Sequence, residues 1–190
     1  MKQSMSVLTS QSTVQWYTPP DITNRARTVM GSIDLDPAST DYPNTWIRAT
    51  RIYTLELPDI RHLNIEDRKR TIKKQSREQL MKQPTWKGNI FLNPPFDDTT
   101  MWVNRLHSSY QQGGVEAVLL VNTAAGYGWW ERLWRHYDTV LLKDRLSFIR
   151  EDGTQGGPAK KGQTLAYFGT HTEHFFDVYQ DLGRCIRKES

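Results

Sequence analysis

Apolar positions along this chain follow two periods in alternation, which predicts a layered α/β protein. Ile22, Ala26, Val29 and Met30 recur at helical spacing, with Thr18 suited to the N-cap, Pro19 to the first helical position and Gly31 as the stop. Ile33-Asp34-Leu35-Asp36 reads as a short strand entering the loop Pro37-Ala38-Ser39-Thr40, and Arg51 to Leu55 as a second strand. Asn64 to Gln83 predicts a helix with a thin apolar stripe of Ile65, Ile72, Leu80 and Met81, so it should lie on the surface. Asn89-Ile90-Phe91-Leu92 is a strand of the buried type, ending in Asn93-Pro94-Pro95-Phe96. A helix follows over Thr100 to Gln111, broken by Gly113-Gly114 before the apolar strand Ala117 to Val121. Trp129, Trp130, Leu133, Trp134 and Tyr137 predict another amphipathic helix. Thr139 to Leu142, Leu146 to Ile149 and Leu165 to Phe168 predict strands, and Thr172 to Leu182 a last helix.

This alternation predicts a mainly parallel sheet covered on both faces. The strands on either side of the Gly/Lys-rich loop Glu151 to Gly162 have no helix between them, so they are expected to pair antiparallel.

Charge adds a surface. The chain carries 25 Lys and Arg against 21 Asp and Glu, a net charge of +4. Between Arg61 and Lys87 stand nine bases and three acids, a surplus of six, so the rest of the chain is slightly acidic. Basicity confined to one segment points to an anionic partner, and nucleic acid fits. Arg68, Lys69, Arg70, Lys73, Lys74 and Arg77 are the candidate phosphate contacts, with Arg145 as a further basic position. The lone Cys185 excludes an internal disulfide and a cysteine-rich metal site, and no metal is expected. No apolar run approaches the ~20 residues needed to span a bilayer. The amino terminus lacks an apolar signal region, so a cytoplasmic location is the default expectation. A monomer is expected.

Candidate chemistry sits at two strand ends, where open α/β sheets bind ligands. Methylating the amino group of a nucleobase requires acceptors for its N–H bonds, because its lone pair is delocalised into the ring. The side-chain oxygen of Asn93 can be one acceptor and the Pro94 carbonyl the other, held by the fixed φ of Pro94 and Pro95. Phe96 offers a flat face for an extruded base, worth ~1–3 kcal/mol. A methyl donor such as S-adenosylmethionine carries an ammonium, a carboxylate, a sulfonium and ribose hydroxyls. Asp36, at the strand end formed with Asp34, Pro37 and Ala38, suits the ammonium or hydroxyls. The helix start at Thr18, Pro19 and Asp21 suits the carboxylate, and Trp16 or Tyr17 the sulfonium.

Tyr17-Thr18-Pro19, Ile33-Asp34-Leu35-Asp36-Pro37-Ala38-Ser39, Trp86-Lys87-Gly88, Asn93-Pro94-Pro95-Phe96 and Trp102 together resemble the phage- and plasmid-borne Dam-type DNA N6-adenine methyltransferases. Trp129-Trp130 and Arg145-Leu146-Ser147-Phe148 extend the resemblance, which spans residues 16–183. It implies a Rossmann-like S-adenosylmethionine-dependent methyltransferase fold with a terminal β-hairpin. It further implies donor binding through Tyr17-Thr18-Pro19 and Asp36, catalysis at Asn93 to Phe96, and DNA as substrate. The family usually carries an Asp-Asn-Gly-Leu-like stretch before the Trp-x-Gly element. Here Glu56-Leu57-Pro58-Asp59 and the basic segment stand in its place, so Glu56 and Asp59 are the candidate acids for that role. Residues 1–13 are expected to be flexible, and residues 14–190 to form one methyltransferase domain with a basic helical insertion around 61–84. Asn-Pro-Pro-aromatic also occurs in enzymes that methylate protein glutamine. A glutamine amide, cytosine N4 and an inactive DNA-binding relic therefore stay open as alternatives.

Overall fold

The computed structural model describes residues 16–54, 60, 62–95, 98–150 and 152–189. Its elements run β1 (Trp16–Tyr17), α1 (Pro20–Met30), β2 (Leu35–Asp36), α2 (Asp41–Ile47), β3 (Arg51–Ile52), α3 (Ile65–Lys82), β4 (Gly88–Leu92) and α4 (Thr99–Gln111). They continue with β5 (Val115–Asn122), α5 (Gly128–His136), β6 (Asp138–Leu142), β7 (Ser147–Arg150), β8 (Gln155–Pro158), β9 (Gln163–Phe168), α6 (Thr172–Tyr179) and β10 (Gly183–Ile186). The expected flexible residues 1–13 lie outside the described residues.

Seven strands form one sheet in the order β10-β6-β9-β5-β4-β2-β3, and β1, β7 and β8 form a second, small sheet. Successive residues of the central strands enter opposite cores. Phe91, Val118 and Leu120 join the core built with α1 and α6. Ile90, Leu92, Ala117, Leu119 and Val121 join the core built with α3, α4 and α5. This period-2 alternation within uninterrupted apolar runs gives strands buried on both faces, as expected of a three-layer arrangement.

The expectation of a mainly parallel sheet is corrected. β3, β2, β4 and β5 pair in parallel, but β9 is antiparallel to both β5 and β6, and β10 is antiparallel to β6. The cause is connectivity. A parallel neighbour needs a crossover that returns the chain to the start of the sheet, and between β6 and β9 stand only β7 and β8, with no helix among the described residues. The expected hairpin between Leu146–Ile149 and Leu165–Phe168 is corrected as well. β7 pairs with β8 and with β1, whereas β9 inserts into the large sheet. All six residues of β9 are buried, so the central slot suits it better than an exposed ribbon. The partner strand β8 is Gln-Gly-Gly-Pro, a sequence with no strand signal of its own.

α3 behaves as its thin stripe predicts. It buries only Ser76 and Leu80, its cap Asn64 accepts from the Asp67 N–H, and Ile65 and Met81 are exposed. Its second half is anchored to α4, where the Trp102 indole donates to Ser76 Oγ at 3.2 Å. α1 begins one residue later than expected, with Pro19 as the cap and no side-chain capping bond.

The amino-terminal edge of the sheet depends on Asp34. Its carboxylate accepts from the Asn89 N–H at 2.9 Å and from Ser32 Oγ at 2.9 Å, against the backbone of Gly88. Gly88 has φ +84°, and a Cβ there would sit 2.5 Å from Asp34 Oδ2. Gly88→Ala is expected to lower stability by about 2 kcal/mol or more, from left-handed strain and overpacking together. Urea denaturation checks this, and an unchanged midpoint would refute the close approach.

Candidate active site

Two strand ends meet at the carboxyl edge of the sheet. β2 and β4 are parallel neighbours with Leu35 opposite Ile90, so Asp36 is level with Phe91 and Asn93 stands two residues further along. At ~3.3 Å per residue, both groups border one stretch of the edge. The residues before α1 close this stretch from the side. Thr18 is buried, and its Oγ1 accepts from Asn93 Nδ2 at 3.0 Å. The predicted capping role of Thr18 gives way to this bond.

The Asn93 amide is thereby oriented. Its nitrogen is committed to Thr18, and its oxygen is buried with no hydrogen-bond partner among the described residues. Buried acceptors are seldom left unpaired, and an unmet one is a place for a ligand donor. Pro94 is buried behind it.

Asp36 is 3 % exposed. Burial pushes its carboxyl up to about 7, although bonds from the Ala38 N–H and Ser39 pull the other way. The loop after it is braced from below. The Gln83 side chain donates to the Pro37 carbonyl at 3.3 Å and accepts from the Trp86 indole at 2.8 Å. Ser39 N–H donates to Tyr53 O at 3.2 Å.

Aromatic rings stand beside Thr18. Tyr17, Tyr42 and Trp46 contact one another edge to face, with centroids 5.3–6.4 Å apart. The Trp46 indole donates to the Thr18 carbonyl at 3.0 Å, fixing the Tyr17-Thr18-Pro19 turn.

Several predicted residues stand elsewhere. Asp34 is drawn to the amino-terminal edge and is occupied there by Asn89 and Ser32. Trp16 packs against Gly156, and the Arg150 guanidinium lies 5.6 Å from its ring centroid. A ring already carrying one cation is a poor seat for a second. The helix start offers fewer donors than the sequence suggests, because Pro19 and Pro20 have no N–H and Ile22 N–H bonds Pro19 O. Glu56, Asp59 and Phe96 lie outside the described residues.

The basic segment forms one helix. Lys69, Arg70 and Lys74 pair with Glu66, Asp67 and Glu78 of the same helix, all at exposed positions. Lys73 is exposed, Arg68 Nε donates to Leu63 O, and Arg145 is exposed in the turn between β6 and β7. Exposed intrahelical pairs are worth little and can yield to phosphate. Arg77 differs, since its guanidinium clasps Asp98 after the Asn93 segment.

Gln83, Trp46 and Asp98 escaped the sequence reading. Buried polar residues leave no periodic signal. Asp98 alone was accessible, as an acid at a strand-to-helix junction.

Residues 65–178 match the family described as DNA N-6-adenine-methyltransferase (Dam). The chain belongs to this family. The match includes Asn93 to Phe96 and the basic helix, and leaves Thr18 and Asp36 to be judged by geometry. No curated protein matches the chain. As a Dam-family protein it is a DNA adenine-N6 methyltransferase, and the family's chemistry entails a methyl donor and a DNA substrate. Among the described residues no group of His, Cys, Asp and Glu could hold a metal ion, and no helix is long and apolar enough to cross a membrane.

Asp36 predicts a pH dependence. Its folded carboxyl keeps a proton that the unfolded chain releases between 3.8 and about 7. The ligand-free protein should therefore lose stability as pH rises through that window and level off above it. Asp36→Asn should flatten the dependence, as measured by urea midpoints at pH 5 and pH 8. Parallel curves for the two proteins would refute the buried carboxyl.

Proposed function

We propose that this protein methylates N6 of adenine in DNA from S-adenosylmethionine, acting on a base turned out of the stack, without a covalent enzyme intermediate. One observation carries the reading: Asn93 Oδ1 is a buried, oriented acceptor without a partner among the described residues, at the strand end that also borders Asp36.

The residues present suit the donor. Asp36, Pro37 and Ala38 form a buried acidic turn for its ammonium or hydroxyls, and Tyr17, Thr18 and Pro19 form the wall beside it. Glu56 and Asp59 are proposed to complete the cofactor side. When bound, S-adenosylmethionine supplies an electrophilic methyl that the amine takes by direct in-line attack. The protein's part is positioning. Asn93 Oδ1 and the Pro94 carbonyl accept the two amine hydrogens, which turns the nitrogen lone pair out of conjugation with the ring. Pro94 and Pro95 keep that carbonyl from moving. Phe96 stacks on the extruded base. Alignment of this kind can contribute several kcal/mol of a barrier.

The fold is proposed to be the Rossmann-like methyltransferase fold, in one domain over residues 14–190 with the 61–84 segment as a basic insertion. Arg68, Lys69, Arg70, Lys73 and Lys74 of α3, with Arg145, meet the DNA backbone. The enzyme is proposed to act as a monomer in the cytoplasm.

Digestion of DNA after reaction, with mass spectrometry of the nucleosides, is expected to yield N6-methyladenine. N4-methylcytosine, or methyl transfer to protein alone, would refute the assignment. Asn93→Ala should lower turnover by about a hundredfold, as loss of an oriented donor or acceptor does elsewhere. Its donor affinity, read by calorimetry, should change little. Replacing Arg70, Lys73 and Lys74 by Gln should flatten the slope of log affinity against log salt by about 3, at ~0.9 per lost phosphate contact.

A further inference from the structure

We infer that Arg77 is not a DNA contact but a positioning residue: its ion pair with Asp98 latches the basic helix α3 to the segment that carries Asn93. This inference rests on the methyltransferase reading above.

The geometry is specific. Arg77 Nε lies 2.6 Å from Asp98 Oδ2, and its terminal nitrogen donates to Asp98 Oδ1 at 3.1 Å, a two-pronged pairing that fixes both planes. Asp98 is 7 % exposed, whereas Glu66 and Glu78, paired within α3, stand in solvent. Asp98 occupies the N-cap of α4, where Asp normally caps through its side chain, yet it makes no such bond here. Its carboxylate is turned to α3 instead.

Asp98 is also tied back to the candidate catalytic residues. Its N–H donates to the Pro95 carbonyl at 3.4 Å, and Pro95 follows directly on Asn93 and Pro94. A second tie lies six residues on, at the carboxyl-terminal cap of α3, where Gln83 holds the Pro37 carbonyl beside Asp36. One helix thus grips both loops of the site, and Arg70, Lys73 and Lys74, seven, four and three residues before Arg77 and so on its side of the helix, stay exposed beside the latch. DNA seated on that face is held in a set orientation to Asn93, because the helix cannot shift without breaking the Arg77–Asp98 pair. Removing Arg77 would strand a buried carboxylate next to the catalytic segment, and Asp98 would then move towards water.

The test uses the full chain with Arg77→Gln, Arg77→Lys, Asp98→Asn and the double variant R77Q/D98N. Lys73→Gln is the phosphate-contact control, and turnover is normalised by active-site titration. Arg77→Gln is expected to lower kcat about ten- to a hundredfold, as small misplacements of reacting groups do. Its DNA salt slope should stay within about 0.3 of wild type, while Lys73→Gln loses about 0.9. Asp98→Asn should reproduce the kcat loss, and the double variant should be no worse than either single. Arg77→Lys keeps the charge without the fork, and should recover part of kcat.

A salt slope reduced by about 0.9 in Arg77→Gln overturns the inference whatever happens to kcat. So does unchanged kcat, or an independent loss from each partner. Should Arg77→Gln fail to fold, kcat of Asp98→Asn decides: a loss of about ten- to a hundredfold supports the latch, and an unchanged kcat overturns it. If the wild-type chain methylates no DNA, the function proposed above fails. The latch is then decided by melting temperatures, where coupled effects of Arg77→Gln and Asp98→Asn support it and additive effects overturn it.

Discussion

Everything at the candidate site depends on how one side-chain amide is held. Asn93 spends its nitrogen on Thr18 and keeps its oxygen unspent in a buried place. An amide free to rotate would present donor and acceptor alike to an incoming amine. Committing the nitrogen removes that choice. The commitment needs Thr18, and Thr18 is in place because the Trp46 indole holds its carbonyl. A local property of the Asn-Pro-Pro turn therefore depends on residues far away in the chain.

The site also carries a concentration of buried polar groups. Asp36, Gln83, Asp98 and Thr18 are all nearly shut off from water. Each is costly to bury unless it is bonded. Gln83 and Asp98 are fully engaged by neighbours, and they brace the two strand-end loops. Asp36 accepts from the Ala38 N–H, and burial still pushes its carboxyl up to about 7, while Asn93 keeps a buried oxygen without a partner among the described residues. An unmet buried acceptor at the strand end that adjoins Asp36 is what a binding site leaves when it is built for a ligand's own polar groups.

Reading the chain as layered α/β worked where apolar period and element length agree. β4, β5 and β9 are apolar runs buried on both faces, and α1, α4 and α5 carry clear stripes. The reading missed α2, β1, β8 and β10. β1 has two residues, β8 is Gln-Gly-Gly-Pro, and β10 is an edge strand with one apolar side chain besides its cysteine. Such strands form because a neighbour offers unpaired backbone, not because of their own side chains. Asp34 and Asp36 are two residues apart with the same chemistry, one just before β2 and one at its end, yet the fold sends the first to brace Gly88 and the second to the candidate site.

By itself the sequence determined the elements with strong periodicity, the placement of Asn93-Pro94-Pro95 and Asp36 at strand ends, and the surface position of the basic helix. These follow from local rules: burial period, proline stereochemistry and the thinness of an apolar stripe. Only the tertiary structure decided the direction of β9, the partner of Thr18 and the capture of Arg77 by Asp98. Those outcomes join residues 21 to 75 positions apart, or turn on which slot in the sheet remains open. No periodicity in the chain encodes them, because a pairing between distant polar groups exists only once packing has brought them together.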